Sequence, residues 1–512
     1  MKNNPPEKII NIVREKFENN GAQSIETDVL KLFQTYPNSD ILWNIFGVIC
    51  KSIHGLKKAK KAFEKSIELN PKSSKAHSNL GTTLDELGQQ SDAINHLNLA
   101  IELDQSNIDA LNNLGNILWI QGKFRDSIKL YQKALKINPH NTEVLSNIAE
   151  ASKALFISDD ALFYLKKAVD IDPKNAFLMN SLGSFYLSIG NKSKAIFYFY
   201  KSIKEDPLFV YAHYNLSKLK TYTAGDTHLI SMIELTENNN VKKDGLALLC
   251  FAISKAMHDL KSYKLAYQYL KRGNDLKRQL LPYSIEEDQK LFKNIKKISN
   301  NFKNIKDEFN IENPDLVPIF IIGMPRSGTT LIEQIISSHE EVDFSGEQNA
   351  ALKYGLELAT GFRKLSEDNL GQFRKNYFNH ISQFSSGKKY ITDKMPQNFL
   401  LVGLIKCAIP EAKIIHVFRD PYAVCWSNYK RCFNNEGKLL RAMYSLNDVA
   451  CFYQLYENLM NFWEKNHTNN VINIDYEFLV RNPEIIMRKL ISDVGLKWSP
   501  SCAKFYEHNR IV

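Results

Sequence analysis

The chain has 512 residues, of which 44% are apolar and 24% are charged, and its formal net charge is +10. This length and apolar content are ample for two or more domains with their own hydrophobic cores. The basic charge is spread along the whole chain, so it argues against a dedicated nucleic-acid-binding protein and would equally suit an anionic small-molecule ligand.

The cysteines and the N-terminal segment favour a cytoplasmic protein. The seven cysteines are odd in number and show neither CxxC nor Cys/His metal spacing, so we expect free thiols in a reducing compartment and no bound metal. Residues 1–6 lead into a charged amphipathic stretch rather than the apolar core of a signal peptide. No run approaches the roughly 18 apolar residues that a membrane-spanning helix needs.

The first half of the chain repeats itself every 34 residues. Small residues recur at two phases of this period, large residues at a third and proline at a fourth. Small residues where two helices cross, large residues between them and a proline after the second helix are the pattern of tetratricopeptide repeats, which this half resembles. The four series are Gly47, Gly81, Gly115, Ala149, Gly183 and Ser217; Ala59, Ala93, Ser127, Ala161 and Ala195; Phe63, Leu97, Tyr131, Leu165 and Phe199; and Pro37, Pro71, Pro139, Pro173 and Pro207, with Gln105 as the exception.

These repeats predict an α-solenoid domain over residues 1–222, with an N-terminal capping helix or half-repeat at 7–36. An irregular helical extension and connector follows at 223–312 and contains one repeat-like hairpin near 244–280. A solenoid presents a concave face to peptides or protein partners. Whether it recruits a substrate or only scaffolds the rest of the chain is left open. The repeats are placed at residues 40–73, 74–107, 108–141, 142–175 and 176–209, with the first helix of a sixth at 210–222.

Residues 313–512 predict an α/β domain with a parallel sheet. Short β-like runs at 317–322, 413–418 and 471–475 are separated and followed by helical stretches. Ligand sites in such sheets form at the carboxyl ends of the strands, which is where the polar motifs of this region fall.

The first β-like run leads into a glycine-rich turn and then a helix start, an arrangement that binds anions. Gly323 and Gly328 have the spacing of a nucleotide P-loop, but Thr329 stands where that loop requires a lysine, and the cation Arg326 lies inside the turn. This argues against a P-loop kinase or NTPase and for a different phosphate-bearing ligand. The turn reads Gly323-Met324-Pro325-Arg326-Ser327-Gly328-Thr329-Thr330-Leu331.

This turn resembles the 5′-phosphosulfate-binding loop of sulfotransferases, which use 3′-phosphoadenosine 5′-phosphosulfate as donor. The resemblance is to the branch that contains protein-tyrosine sulfotransferases and bacterial sulfotransferases fused to tetratricopeptide repeats. It implies sulfuryl transfer to a hydroxyl or phenol of a protein tyrosine, a glycan or a small molecule. The residues implied to hold the 5′-phosphosulfate are Arg326, Ser327, Gly328, Thr329 and Thr330.

A second match follows the run at 413–418. An arginine at a strand end and a serine in the next helix, here Arg419 and Ser427, can converge on one phosphate. In the family this is the 3′-phosphate site, and Arg431 matches a further donor contact. An isolated Arg-Asp-Pro is also an ordinary helix start, with Asp420 as cap and Pro421 at the first helical position.

Two residues are implied to carry the chemistry. Lys394 matches the family lysine that stabilises the charge developing during transfer. Glu347 falls where protein-tyrosine sulfotransferases have their catalytic carboxylate, with Asp343 and His339 as rival bases. Lys353 stands where those enzymes have an arginine for acidic substrates, which weakens the case for a tyrosine-peptide acceptor.

The last match concerns Tyr476, which resembles a donor-contacting tyrosine but could equally pack at a strand end. Relatives continue a few dozen residues beyond this sequence and supply a Ser and a Lys to the donor pocket there. We therefore expect either a truncated chain or an incomplete site. The alternative function is a repeat-protein adaptor with a degenerate, inactive donor-binding domain.

Overall fold

The structure is a computed structural model that describes residues 4–300, 302, 315–433, 438–466 and 471–507. The chain divides into two compact units, Met1–Pro173 and Lys174–Val512. The predicted domain boundaries after residues 222 and 312 stay predictions.

The first unit is an array of helix pairs, and its second to fifth pairs confirm the repeats predicted at 40–73, 74–107, 108–141 and 142–175. The first pair is a complete helical hairpin rather than a single capping helix, because Gly21 adopts a φ of +76° and separates its two helices. The helices are α1 (Glu7–Asn20), α2 (Ala22–Thr35), α3 (Asp40–Ile53), α4 (Leu56–Leu69), α5 (Ser74–Glu86), α6 (Gln90–Leu103), α7 (Ile108–Ile120), α8 (Phe124–Ile137), α9 (Thr142–Ala154) and α10 (Ser158–Ile171).

The 34-residue period has two structural causes. The first helix of each repeat begins behind a Ser or Asn whose side chain accepts a hydrogen bond from a backbone N–H three residues later, as Asn107 does from Ala110. The two helices of a repeat then cross at a small residue. A Cβ added to Gly115 would lie 2.5 Å from Cε1 of Tyr131, so only glycine fits opposite that ring.

The second unit begins with the predicted fifth repeat and the first helix of a sixth. The hairpin expected near 244–280 is also present, as α15 and α16. The predicted connector is helical up to Ser299, and its residues 301 and 303–312 lie outside the described residues. The helices are α11 (Ala176–Ser188), α12 (Lys192–Glu205), α13 (Val210–Leu219), α14 (Thr227–Leu235), α15 (Lys243–Asp259), α16 (Tyr263–Leu280) and α17 (Ile285–Ser299).

A five-stranded, wholly parallel sheet follows, in the order β2-β3-β1-β4-β5. The three predicted strands are confirmed as β1, β4 and β5, and two short strands were missed. The strands are β1 (Val317–Gly323), β2 (Val342–Phe344), β3 (Tyr390–Asp393), β4 (Lys413–Phe418) and β5 (Val471–Asp475).

Helices cover both faces of the sheet. Phe320 and Ile322 of β1 enter a core with the helices on one face, whereas Ile319 and Ile321 enter a second core on the other. The helices of this domain are α18 (Thr329–Ser337), α19 (Ala350–Thr360), α20 (Glu367–Ile381), α21 (Val402–Ala408), α22 (Pro421–Tyr429), α23 (Leu446–Asn466), α24 (Tyr476–Arg481) and α25 (Pro483–Val494), with 3₁₀ helices at Ser382–Phe384, Pro396–Leu401, Lys438–Tyr444 and Pro500–Glu507.

The helices α13 to α16 pack against the sheet domain through a shared apolar core that includes Tyr429, Cys432 and Tyr444. Asn274 of α16 is fully buried and donates a hydrogen bond of 3.2 Å to the carbonyl of Tyr429. Arg278 of the same helix pairs with Asp448 at 3.0 Å. The helices α13 to α16 therefore pack with the sheet domain around Tyr429, Cys432, Tyr444 and Asp448.

All seven cysteines are free, as predicted. In the part of the chain that the structure describes, no helix combines the length and the apolar content that crossing a bilayer requires.

Candidate functional site

The glycine-rich turn lies between β1 and the start of α18, and its backbone is unusual at three positions. Gly323, Arg326 and Gly328 have φ values of +151°, +70° and +107°. A Cβ at Gly323 would collide with the carbonyl of Val417 in β4 and lie 2.9 Å from Oγ of Ser327. The turn is therefore pressed against the neighbouring strand, and glycine is required for this close approach.

Tyr476 closes the turn from the β5 side. A Cβ at Gly328 would overlap the ring of Tyr476, lying 2.8 Å from Cε2 and closer still to Cδ2. The guanidinium of Arg419 lies 4.6 Å from the centre of the same ring. Tyr476 thus connects the two segments that the sequence indicates as anion sites.

A cavity of about 340 Å³ opens beside the turn. It brings together residues from both indicated anion sites and also Glu347. Ser327, Lys394 and Ser427 do not line it directly, although each lies in or contacts a segment that does. The lining residues are Lys218, Pro325, Arg326, Gly328, Thr329, Thr330, Glu347, Met395, Pro396, Gln397, Arg419, Arg431, Cys432, Phe433, Leu440 and Tyr476.

The charges on this wall favour an anionic ligand. Burial and the neighbouring guanidinium groups of Arg431 and Arg419 lower the pKa of Arg326. The buried hydroxyl of Ser327 has no hydrogen-bond partner among the described residues. The cations repel one another, the Ser327 hydroxyl lacks a partner in the described part of the chain, and both lie at the start of a helix. An anion bound here would neutralise the charges and accept the missing hydrogen bonds.

The second predicted anion pair is only partly assembled. Arg419 lines the cavity and its Nε donates to Oε1 of Glu477 at 3.3 Å. Ser427 instead accepts a hydrogen bond of 3.2 Å from Nε of Arg326. Asp420 caps α22 by accepting from the N–H of Ala423 at 2.7 Å, as expected for an ordinary helix start.

Glu347 and Lys394 form an ion pair at the edge of the cavity. The Lys394 side chain is 7% exposed and the Glu347 side chain is 52% exposed. The carboxylate of Glu347 therefore lies at the cavity wall, and the ammonium of Lys394 lies buried behind it. The N–H of Lys394 also donates to the carbonyl of Gly346 at 3.1 Å, which fixes the two segments together.

Two carboxyl groups behind this pair were missed by the sequence analysis. Burial raises the pKa of Glu333 to about 7, even though the Lys394 charge and the Thr392 hydroxyl oppose the rise. Burial likewise raises the pKa of Asp393 to about 8, although the hydroxyl of Tyr377 donates to this carboxyl at 3.0 Å. Glu333 lies within an apolar run and Asp393 lies next to the indicated Lys394, and neither stands out in the sequence because only its burial makes it unusual.

The rival bases lie elsewhere. The carboxylate of Asp343 accepts hydrogen bonds from the N–H and hydroxyl of Ser386 at 2.6 and 2.7 Å. His339 is buried, and its Nε2 donates to the carbonyl of Lys497 at 2.8 Å. Neither residue lines the cavity. Both have local partners that explain their positions.

Lys218 is the other residue that the sequence analysis missed. It belongs to α13, outside the predicted sheet domain, and yet it lines the cavity. No motif marks it, because only the packing of α13 against Tyr429, Cys432 and Tyr444 brings it there. Within the described ranges, no cluster of His, Cys, Asp and Glu side chains is arranged to hold a metal ion.

Comparisons with known protein families agree with the interpretation of both halves of the chain. Residues 318–500 match the family described as the sulfotransferase family. Tetratricopeptide-repeat families match residues 42–73, 62–95, 84–122, 108–141 and 178–207. The chain therefore joins tetratricopeptide repeats to a domain of the sulfotransferase family, as its motifs predicted.

Individual relatives are distant. An uncharacterized protein of Aquifex aeolicus (strain VF5) is 27% identical over 311 residues, which are 58% of this chain and 40% of the relative. Protein-tyrosine sulfotransferase A of Caenorhabditis elegans is 25% identical over 211 residues, or 38% of this chain and 53% of the relative. Luciferin sulfotransferase of Photinus pyralis is 24% identical over 198 residues, or 35% and 51%. The chain thus spans about half the length of these relatives, or less.

Among solved structures, YrrB, a TPR protein with an unusual peptide-binding site, is 21% identical and has a TM-score of 0.30. The match covers 36% of this chain and 95% of that one.

Proposed function

We propose that this chain, whose residues 318–500 form a sulfotransferase-family domain behind tetratricopeptide repeats, transfers a sulfuryl group from 3′-phosphoadenosine 5′-phosphosulfate to a hydroxyl or phenol. The observation that carries the proposal is one cavity lined by Arg326, Arg419 and Arg431 beside a glycine-rich helix start. A donor with phosphates at both the 3′ and the 5′ positions of its ribose needs cationic groups at two places, whereas a nucleotide with a single phosphate chain needs them at one.

The turn is the proposed 5′-phosphosulfate site. Backbone N–H groups at the start of α18, the guanidinium of Arg326 and the hydroxyls of Thr329 and Thr330 would hold the anion. Ser327 supports this assignment because its buried hydroxyl still lacks a partner. Gly328 supports it because the absence of a side chain lets the Tyr476 ring lie directly against the turn.

The 3′-phosphate is assigned to Arg419, Ser427 and Arg431. Arg419 stacks on Tyr476, which leaves its planar guanidinium presented toward the cavity with Nε held by Glu477. Ser427 contacts Arg326 and so lies at the junction of the two anion sites. Tyr476 is assigned to the nucleoside, where its ring would pack against the donor.

Glu347 and Lys394 are assigned to the chemical step. The donor supplies the sulfuryl group and leaves as 3′-phosphoadenosine 5′-phosphate. A bond forms between the acceptor oxygen and sulfur while the bond from sulfur to the 5′-phosphate oxygen breaks, and Glu347 takes the acceptor proton. Lys394 neutralises the charge that accumulates on the departing oxygen, from a buried position where a fixed cation is most effective.

The proposed acceptor is a hydroxyl or phenol. Two relatives are named for protein tyrosine and for luciferin, so a hydroxyl or phenol is the shared chemistry. Lys353 lies over the ring of Tyr354 at 5.3 Å and does not line the cavity.

We assign peptide or protein binding to the repeat array and a cytoplasmic location to the chain, as the sequence predicts.

Titration calorimetry with 3′-phosphoadenosine 5′-phosphate tests the donor site. Arg419→Ala removes a charge-assisted contact of about 1.5–3 kcal/mol, so the Kd should rise roughly ten- to hundredfold. The exposed Arg363 lies outside the cavity, and Arg363→Ala removes the same charge as a control. Equal affinities of the three proteins would contradict the proposed 3′-phosphate site.

A further inference from the structure

Lys218 is a cation that the repeat-like helices contribute to the sheet domain's cavity. It lies near the end of α13, and its side chain lines the same cavity as Arg326, Arg419 and Arg431. Its ammonium lies 3.8 Å from the centre of the Tyr214 ring and donates to Oδ1 of Asn215 at 3.2 Å. The side chain is exposed, but these two contacts hold it against the cavity wall.

Lys218 has no carboxylate partner within the residues that the structure describes. It also borders a second cavity with Tyr211, Asp244 and Lys277, but there Asp244 pairs with Lys277. Burial and the charge of Arg431 lower the pKa of Lys218 to about 8, with Cys432 acting weakly in the other direction. The ammonium is exposed to solvent on one side, and it shares a cationic cavity wall with Arg431, so an anion that enters the cavity would stabilise its charged form.

The segment that carries Arg431 is held on both sides of this residue, by α13 and by α16. The hydroxyl of Tyr214 donates to the carbonyl of Cys432 at 3.4 Å, and Asn274 donates to the carbonyl of Tyr429 at 3.2 Å. These contacts hold the segment that carries Arg431 against the repeat-like helices. Lys218 and Arg431 therefore reach the cavity as one pre-arranged pair of cations.

We propose that Lys218 binds a phosphate of the donor together with Arg431, so that the last repeat helix completes the donor site. This inference rests on the proposed function and adds a residue outside the sulfotransferase-family match at 318–500. It also gives the repeats a role at the site itself: without α13, one wall and one cation of the donor pocket are missing.

The first test compares three full-length variants with the unmodified chain by titration with 3′-phosphoadenosine 5′-phosphate at pH 7. Lys218→Met keeps an unbranched apolar chain over Tyr214 and removes the charge, and we expect its Kd to rise about ten- to hundredfold. Lys218→Arg should retain most of the affinity. Lys430→Met is the matched control, because Lys430 is exposed close to Arg431 and does not line the cavity.

The second test measures proton uptake when the ligand binds, which a lysine with a purely structural role would not produce. In the ligand-free protein the pKa of Lys218 is about 8, so most Lys218 side chains are neutral at pH 8.5. Binding of the anion at this pH should therefore add a proton to Lys218. Burial raises the pKa of Cys432 to about 11 and that of Tyr214 still higher, so both are already protonated at pH 8.5. Titrations in buffers of different ionisation enthalpy should show up to about one proton taken up, and Lys218→Met should abolish this uptake.

The outcomes separate the two claims. If the unmodified chain binds the ligand and Lys218→Met binds it equally well with the same proton uptake, the role of Lys218 is refuted and the proposed function stands. If the unmodified chain does not bind the ligand, both are refuted. If affinity falls in Lys218→Met but also in Lys430→Met, the effect is one of general charge, and the inference is refuted.

Discussion

Gly328→Ala is the change whose effect the structure determines most closely. Gly328 has a φ of +107°, where a residue with a Cβ is strained by about 1–3 kcal/mol. The added Cβ would also overlap the Tyr476 ring, 2.8 Å from Cε2, which adds an overpacking cost of about 1–3 kcal/mol. We therefore expect a total loss of about 2–6 kcal/mol in the free energy of unfolding of the sheet domain.

A matched control separates the two contributions. Gly387 has a φ of +99°, and a Cβ there would have nothing within 4 Å. Gly387→Ala therefore carries the backbone strain without the collision. The difference between the two variants, measured by chemical denaturation followed through a sheet-domain probe, should be about 1–3 kcal/mol.

A double-mutant cycle then tests the collision itself. Tyr476→Ala removes the ring, so Gly328→Ala should cost less in that background than in the unmodified protein. The single variant Gly328→Ala should also weaken binding of 3′-phosphoadenosine 5′-phosphate, because both the turn and Tyr476 line the cavity. Equal losses in Gly328→Ala and Gly387→Ala, with no coupling to Tyr476, would refute this reasoning.

Three further predictions follow from other parts of the structure. Glu347→Gln should lower turnover about 10²- to 10⁴-fold in an acceptor assay while leaving donor affinity within a few-fold; unchanged turnover would exclude Glu347 as the base. Glu333 has a folded pKa of about 7 against an ordinary 4.5, so stability should fall as pH rises between these values. Glu333→Gln should therefore gain up to about 3 kcal/mol relative to the unmodified protein above pH 7 and nothing below pH 4.5, and a pH-independent difference would contradict the assignment. Gly115→Ala should destabilise the first unit by about 1–2 kcal/mol. The same change should cost less in a Tyr131→Leu background, which recreates the Ala–Leu pair of the next repeat, and an equal cost in both backgrounds would argue against the close helix crossing.

The repeats were predictable because their signals are local. A cap, a small residue, a large residue and a proline recur with one period, and each has its partner within the same helix pair. Gly115 and Tyr131, for example, lie on adjacent helices of one repeat. The strands β1, β4 and β5 were predictable for a similar reason, since they are five to seven residues long and bounded by turns.

The short strands were missed because three or four residues carry too little pattern. β2 spans only Val342–Phe344 and β3 only Tyr390–Asp393. Their positions are set by pairing with longer neighbours, which a local reading of the sequence does not contain. Glu333 and Asp393 were missed with them, because a carboxyl group becomes unusual only once its burial is known.

The candidate site was predictable as a set of residues but not as a set of contacts. The motifs indicated Arg326, Arg419 and Ser427, but the structure pairs Ser427 with Arg326 rather than leaving it beside Arg419. The contact of Tyr476 with Gly328 joins segments far apart in the chain. Lys218 had no signal at all, because its place at the cavity depends on how α13 packs against the sheet domain.

The most direct test of the central claim is the ligand selectivity of the unmodified chain. Titration calorimetry with 3′-phosphoadenosine 5′-phosphate, AMP and ATP compares a ligand that has both proposed phosphates with two that lack the 3′-phosphate. The account predicts that 3′-phosphoadenosine 5′-phosphate binds at least about a hundredfold more tightly than AMP or ATP, because two or more charge-assisted contacts depend on the 3′-phosphate. Equal binding of the three ligands, or a preference for ATP, would contradict a sulfotransferase donor site.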